Sequence, residues 1–196
     1  MFGKKKINKL IEDIDRYFDL IDQAVLVFKD GVRNYLYSNT KDFNENLQKM
    51  SSLEGETEVL RREIENALYT QTALVRSRGD IMRLFEKTKS ITDILNDSLF
   101  QFEIETPFIP TVLNAEFMKL TEFSTLAVES VVPAAKAYFK APETVPDKIS
   151  RAYFYEKEAV KYSQTIKRNV FHNMTSLKLS EKFHLRYFAL HIENLS

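Results

Sequence analysis

The 196-residue chain has no cysteine, only four glycines and five prolines, and no net charge. Without cysteine there can be no disulfide, no thiolate metal ligand and no cysteine nucleophile, a pattern that fits a reducing compartment. The few glycines do not cluster, so there is no GxxxxGK or GxGxxG loop to cradle a phosphate, which argues against the nucleotide folds built on such loops. Its 28 basic residues balance 28 acidic ones, so the broad positive field of a general nucleic-acid binder is missing and no nucleic-acid partner is expected. Long apolar runs are missing as well. The segment from Ile7 to Asp22 is interrupted by Glu12, Asp13, Asp15, Arg16 and Asp19, which makes it neither a signal-peptide core nor a membrane span. A cytoplasmic location is therefore expected. No GxSxG elbow, HExxH pair or serine nucleophile motif occurs, and the chain is read as a non-enzyme.

What is present is helix. With 44% hydrophobic residues the chain can bury a substantial core, and those residues recur at three- and four-residue intervals. Ile7, Leu10, Ile11, Ile14, Tyr17, Phe18, Ile21, Val25, Phe28, Val32 and Tyr35 mark a first helix, which Gly31 is expected to bend or end. Asn39 or Thr40 caps a second, carrying Phe43, Leu47, Met50, Leu53, Leu60, Ile64 and Leu68 inward. The period breaks over Val75 to Asp80, and Ser77 caps a third helix bearing Ile81, Leu84, Phe85, Ile91, Leu95, Leu99 and Phe102. Thr106-Pro107-Phe108-Ile109-Pro110 is the strongest punctuation in the chain. Beyond it Phe117, Leu120, Phe123, Leu126, Val131, Ala135 and Tyr138 mark a fourth helix, kinked or divided by Pro133. Pro142 and Pro146 bracket the turn into a fifth with Ile149, Tyr153, Val160, Ile166 and Val170, and Ser176 or Ser180 starts a sixth with Phe183, Tyr187, Phe188 and Ile192. The expected fold is all-α: six long antiparallel helices as two tandem three-helix repeats, residues 1–105 and 106–196. Glu193-Asn194-Leu195-Ser196 brings neither a glycine stop nor a basic last turn, so the helical pattern is expected to run on past Ser196.

The two-repeat reading rests on a recurrence at an offset of 102 residues. Leu53-Glu54-Gly55-Glu56-Thr57-Glu58, running on to Ile64 and Leu68-Tyr69, returns as Tyr155-Glu156-Lys157-Glu158-Ala159-Val160, running on to Ile166 and Val170-Phe171. Apolar and acidic positions match together, as duplication of one helix requires. The chemistry is less symmetric. Residues four apart on a helix share a face with Cβ atoms about 5 to 6 Å apart, so Glu54 with Glu58, and Asp93 with Asp97, each present two carboxylates in one direction. Acidic pairs on helices are ordinarily solvated faces. These two fall on consecutive helices of one half, and packed helices lie about 8 to 10 Å apart, so the pairs can converge on a shared cation. Asp93-Ile94-Leu95-Asn96-Asp97 also interleaves its acids with core positions, which places them at the edge of the packed face.

The opening Met1-Phe2-Gly3-Lys4-Lys5-Lys6, the Leu53 to Glu58 stretch, Arg78-Gly79-Asp80-Ile81 followed by Asp93 to Asp97, and the repeated second half together resemble the PhoU-like phosphate transport regulators over essentially the whole chain. The resemblance implies two three-helix repeats with Glu/Asp-xxx-Asp motifs that in some PhoU proteins hold multinuclear iron or zinc clusters. Carried over, the motifs fall on Glu54 with Glu58, where glutamate replaces the usual aspartate, and on Asp93 with Asp97. In the second half Glu156 survives, Val160 stands where a second carboxylate belongs, and Glu193 needs an acidic partner just beyond Ser196. The resemblance further implies a non-enzymatic accessory of phosphate uptake. It would dock on an inorganic phosphate permease of the Pit type or its signalling partner, reach the membrane through that partner, and have room for self-association.

Two readings compete. Glu181-Lys182-Phe183-His184 has the Glu-xx-His spacing of di-iron carboxylate bundles, with His191 seven residues on, and would suit an iron-handling bundle. That site needs a second such motif and two further glutamates. A metal-free helical scaffold is the other. Three consecutive aromatics, Tyr153-Phe154-Tyr155, cannot all face one core, so at least one is expected at the surface or against a partner.

Overall fold

The computed structural model describes residues 2–70 and 78–196. Six helices follow one another: α1 (Phe2–Leu36), α2 (Thr40–Thr70), α3 (Arg78–Glu105), α4 (Asn114–Lys140), α5 (Val145–Arg168) and α6 (Leu179–Glu193). Single 3₁₀ turns, Thr111–Leu113 and Pro142–Thr144, lead into α4 and α5, and a π-turn over Asn169–Asn173 closes α5. No strand occurs among the described residues, and no described helix is long and apolar enough to cross a membrane. The expected Ser77 cap of α3 lies outside the described residues.

Helix α1 holds the centre because its apolar surface is too wide for one neighbour. Leu10, Ile14, Tyr17, Phe18, Ile21, Val25, Phe28 and Val32 of the expected stripe are buried and Ile11 is exposed; Leu20, Ala24, Val27 and Leu36 are buried as well, and the helix packs against α2, α3 and α4. An antiparallel ladder of ion pairs reinforces the α4 contact: Lys140 Nζ lies 2.8 Å from Asp15 Oδ2, and Lys136 Nζ lies 2.6 Å from Asp19 Oδ1. Near its middle, Tyr17, Phe18 and Phe85 form an aromatic cluster with ring centroids 4.8 to 5.9 Å apart. Edge-on and offset rings at such distances add about 0.5–1.5 kcal/mol per pair beyond their burial.

Gly31 neither bends nor ends α1, which runs on to Leu36. A Cβ at that position would stand 2.7 Å from Leu99 Cδ1 and 3.4 Å from Asn46 Cβ, so the glycine admits the buried Leu99 of α3 close to the α1 backbone. The chain then reverses at Ser38, whose φ of 59° is left-handed, with the Asn39 amide hydrogen-bonded to the Asn34 carbonyl. A second left-handed residue, Thr106 at φ 41°, turns the chain out of α3 into the extended Pro107–Pro110 segment, and Tyr35 Oη donates to the Pro107 carbonyl at 2.8 Å.

Pro133 does not divide α4. The helix is continuous through it and the proline is exposed, so the amide it lacks costs one hydrogen bond on a side that water can reach. The expected Phe117, Leu120 and Ala135 of α4, and Ile166 and Val170 at the end of α5 and in the turn after it, are buried, but the apolar reading missed the small residues between them. Ser124, Thr125, Ala127 and Val128 on α4, with Ala159 and Ser163 on α5, are buried, whereas Tyr138 and Tyr153 are exposed. Among the described helices these two form the most extensively packed pair, and small side chains let their backbones approach closely. Phe123 and Tyr162 stack along the edge of the seam with centroids 5.2 Å apart.

In α6 the buried positions are Leu185, Phe188, Ala189 and Ile192, while Phe183 and Tyr187 are exposed. The helix starts at Leu179, not at Ser176 or Ser180, and closes at Glu193 with a turn over Asn194 and Leu195. The 102-residue offset reappears in burial. Thr57, Ile64 and Leu68 of α2 are buried, and so are their counterparts Ala159, Ile166 and Val170.

Candidate functional site: the carboxylate face of α2 and α3

Glu54 and Glu58 flank Thr57, which is fully buried and whose hydroxyl donates to the Leu53 carbonyl at 2.6 Å. Both glutamates therefore sit at the edge of the buried stripe of α2 and are half-buried. Asp93 takes the same edge position on α3 beside the buried Thr92, and Asp97, one turn on, is exposed. Helix α1 contributes Tyr17 beneath this face, with its hydroxyl 3.2 Å from Thr88 Oγ1 and 3.3 Å from the Phe85 carbonyl. Burial holds that phenol well above its ordinary range.

Bases of the chain itself fill the space between the acids. Lys89 Nζ lies 2.6 Å from Asp93 Oδ1 on its own helix and 3.7 Å from Glu54 Oε1 on α2, bridging the two helices. The hydrogen bond to Asp93 raises the lysine above its usual range. Glu58 turns toward its own helix. Arg61 grips it with Nε at 2.9 Å from Oε2 and Nη2 at 3.0 Å from Oε1, and Arg62 Nε adds a contact of 2.6 Å. Arg61 also binds Glu65. Hydrogen bonds from Arg61, and secondarily from Arg62, hold the Glu58 carboxyl down at about 2. Lys89, Arg61 and Arg62 were not among the residues read from the sequence as part of the site. Their same-helix spacings, Lys89 to Asp93 and Glu58 to Arg62, were visible there, but the bridge from Lys89 to Glu54 was not.

The structure thus brings Glu54 and Asp93 to one ammonium group, and sets Glu58 and Asp97 apart from them. A metal ion joining Glu54 and Asp93 would need the space that the Lys89 ammonium fills, and one at Glu58 would have to displace two guanidinium groups. Among the described residues, no three acidic or histidine side chains gather into a group that could hold a metal ion. In the second half Glu156 is exposed on α5, and Glu193 on α6 is held by Lys167 of α5 at 2.7 Å.

The di-iron reading finds its residues engaged elsewhere. The Glu181 carboxylate accepts the Lys178 amide at 2.6 Å as part of the start of α6. His184 Nε2 lies 2.8 Å from Glu105 Oε2 at the end of α3, and His191 packs against the Tyr187 ring.

No family model matches this sequence. A UPF0111 protein of Thermotoga maritima is 25% identical over 170 residues, covering 87% of this chain and 79% of that protein. Another, from Pyrococcus horikoshii, is 26% identical over 152 residues, 72% of this chain and 71% of the relative. Among solved structures, a PhoU-like protein from Shewanella oneidensis superposes with a TM-score of 0.84 over 94% of this chain and 91% of its own, at 16% identity. A second crystal structure from that organism, assigned as a PhoU-like phosphate regulatory protein, gives 0.81 over 95% and 88%, also at 16% identity. Superposing over nearly the whole of both chains, the protein has the all-helical PhoU-like fold that its motifs resembled.

Proposed function

We propose that this protein is a non-enzymatic regulator of inorganic phosphate transport that acts by docking on a phosphate permease of the Pit type or on its signalling partner. The observation that carries the reading is the near full-length likeness to a PhoU-like phosphate regulatory protein. The character of the molecule supports it. Its apolar surface includes two neighbouring exposed rings, Tyr153 and Phe154, at 61% and 57%. Exposed aromatics of this kind anchor protein interfaces, because they bury much area for few rotatable bonds. In this reading, contact with the bilayer is supplied by the permease.

The test combines affinity capture from native membranes with phosphate uptake in cells lacking the gene. Capture of a phosphate permease by the wild-type chain, reduced at least tenfold by Tyr153→Ser with Phe154→Ser while the melting temperature is kept, is the expected result, together with altered uptake in the deletion. Capture of no permease, with uptake unchanged, overturns the proposal.

A further inference from the structure

We infer that Lys89, Arg61 and Arg62 are the resident cations of the α2–α3 carboxylate face, so that this face closes as an ion-pair staple between helices and takes no metal. The inference concerns the residues toward which the motif resemblance points for iron or zinc, and it stands independently of any role in phosphate transport.

The geometry is specific. A cation bound by carboxylate oxygens sits about 2.0–2.6 Å from them, and an ion shared by Glu54 and Asp93 would fall where Lys89 Nζ now lies, 3.7 Å from one and 2.6 Å from the other. Lys89 is anchored on the same helix as Asp93, one turn before it, and is three-quarters buried. Moving it aside would leave an ammonium beside an incoming divalent ion, and like charges so close repel. Glu58 offers no alternative, since both of its oxygens are taken by guanidinium donors in charge-assisted bonds, the stronger class. The local charge is already nearly matched. Glu54, Glu58, Glu65 and Asp93 face Lys89, Arg61 and Arg62. The acid left outside, Asp97, is exposed.

A second observation repeats the device elsewhere. Glu193, the acid to which the resemblance points in the second half, is bound at 2.7 Å by Lys167 across the α5–α6 interface, and both side chains are about four-fifths buried. In each half a lysine crosses from one helix to the acid of its neighbour. The direction is reversed, with the base on α3 in the first half and on α5 in the second.

The experiment incubates the full chain with zinc, and separately with ferrous iron under anaerobic conditions, then desalts it and measures metal per chain. Melting temperature is recorded with and without EDTA for the wild type, Lys89→Met, Glu54→Gln and the double variant. The expected wild type retains far less than one ion per chain and melts at the same temperature in EDTA. Lys89→Met and Glu54→Gln each lower the melting temperature, and the double variant lowers it by less than the sum, because the two residues act on one contact. One or more ions per wild-type chain, lost in Glu54→Gln, overturns the inference. Strictly additive shifts, or a Lys89→Met variant as stable as the wild type, overturn the staple.

Discussion

Gly31 shows how one residue can carry a meaning that its own helix does not reveal. Within α1 a glycine reads as a breaker, since it costs about 1 kcal/mol relative to alanine. Leu99, 68 positions away in the chain, supplies the reason for it by packing where a side chain would stand. Gly55 is the internal control, because nothing lies within 4 Å of a Cβ added there. Gly31→Val is expected to destabilise by about 1–3 kcal/mol through overpacking, whereas Gly55→Ala should stabilise by about 0.5–1 kcal/mol through helix propensity alone. Denaturant melts of both variants check the pair. Equal effects would mean that Leu99 yields its place freely. The carboxylates teach the same lesson. Asp93 was legible as an edge residue from its neighbours, but the lysine beside it also reaches Glu54 on another helix, and that link was not.

At the scale of elements, α2 buries its whole expected stripe, whereas the second half buries the expected Phe117, Leu120, Ala135, Ile166, Val170, Phe188 and Ile192 but turns Tyr138, Tyr153, Phe183 and Tyr187 outward. On α4 and α5 the departure has one cause. Large apolar residues dominate a periodicity reading, yet the α4–α5 seam is built from small ones, with Ala127, Ser124, Ala159 and Ser163 buried and Tyr153 turned outward. Alanine and serine carry little hydrophobic signal, so the face they occupy is poorly marked in sequence. A bulky side chain at the seam should force the helices apart. Ala159→Leu is expected to cost about 1–3 kcal/mol, read as a lower denaturation midpoint, whereas Tyr153→Leu on the exposed side should change stability by less than about 0.5 kcal/mol. If Ala159→Leu is neutral, the seam is looser than its burial indicates. Pro133 belongs here as well. On the exposed side of α4 it costs the helix only a solvated carbonyl, and the rest of the helix, packed on α1 and α5, holds it continuous.

At the scale of the whole molecule, acid stability reflects the carboxylate face. Glu58 is held at about 2 against an ordinary 4.5 by Arg61 and Arg62. A depressed carboxyl contributes stability that is fully present above its unfolded value and is lost as pH falls toward its folded one. The melting temperature should therefore fall between about pH 4.5 and pH 2, and Glu58→Gln should flatten that part of the profile while lowering stability near neutrality. A variant with the wild-type slope would assign the acid sensitivity to other carboxylates. From its own amino acids the chain determined that it is helical, how many helices it has, where the two proline-rich turns fall, and that its second and fifth helices repeat one pattern, because periodicity, turn residues and duplication are local properties of a sequence. The tertiary structure alone decided that small residues form the α4–α5 seam, why Gly31 is a glycine, and that Lys89 and Lys167 lie against acids of neighbouring helices. Those outcomes depend on distances between residues far apart in the chain, which no spacing within a single helix records.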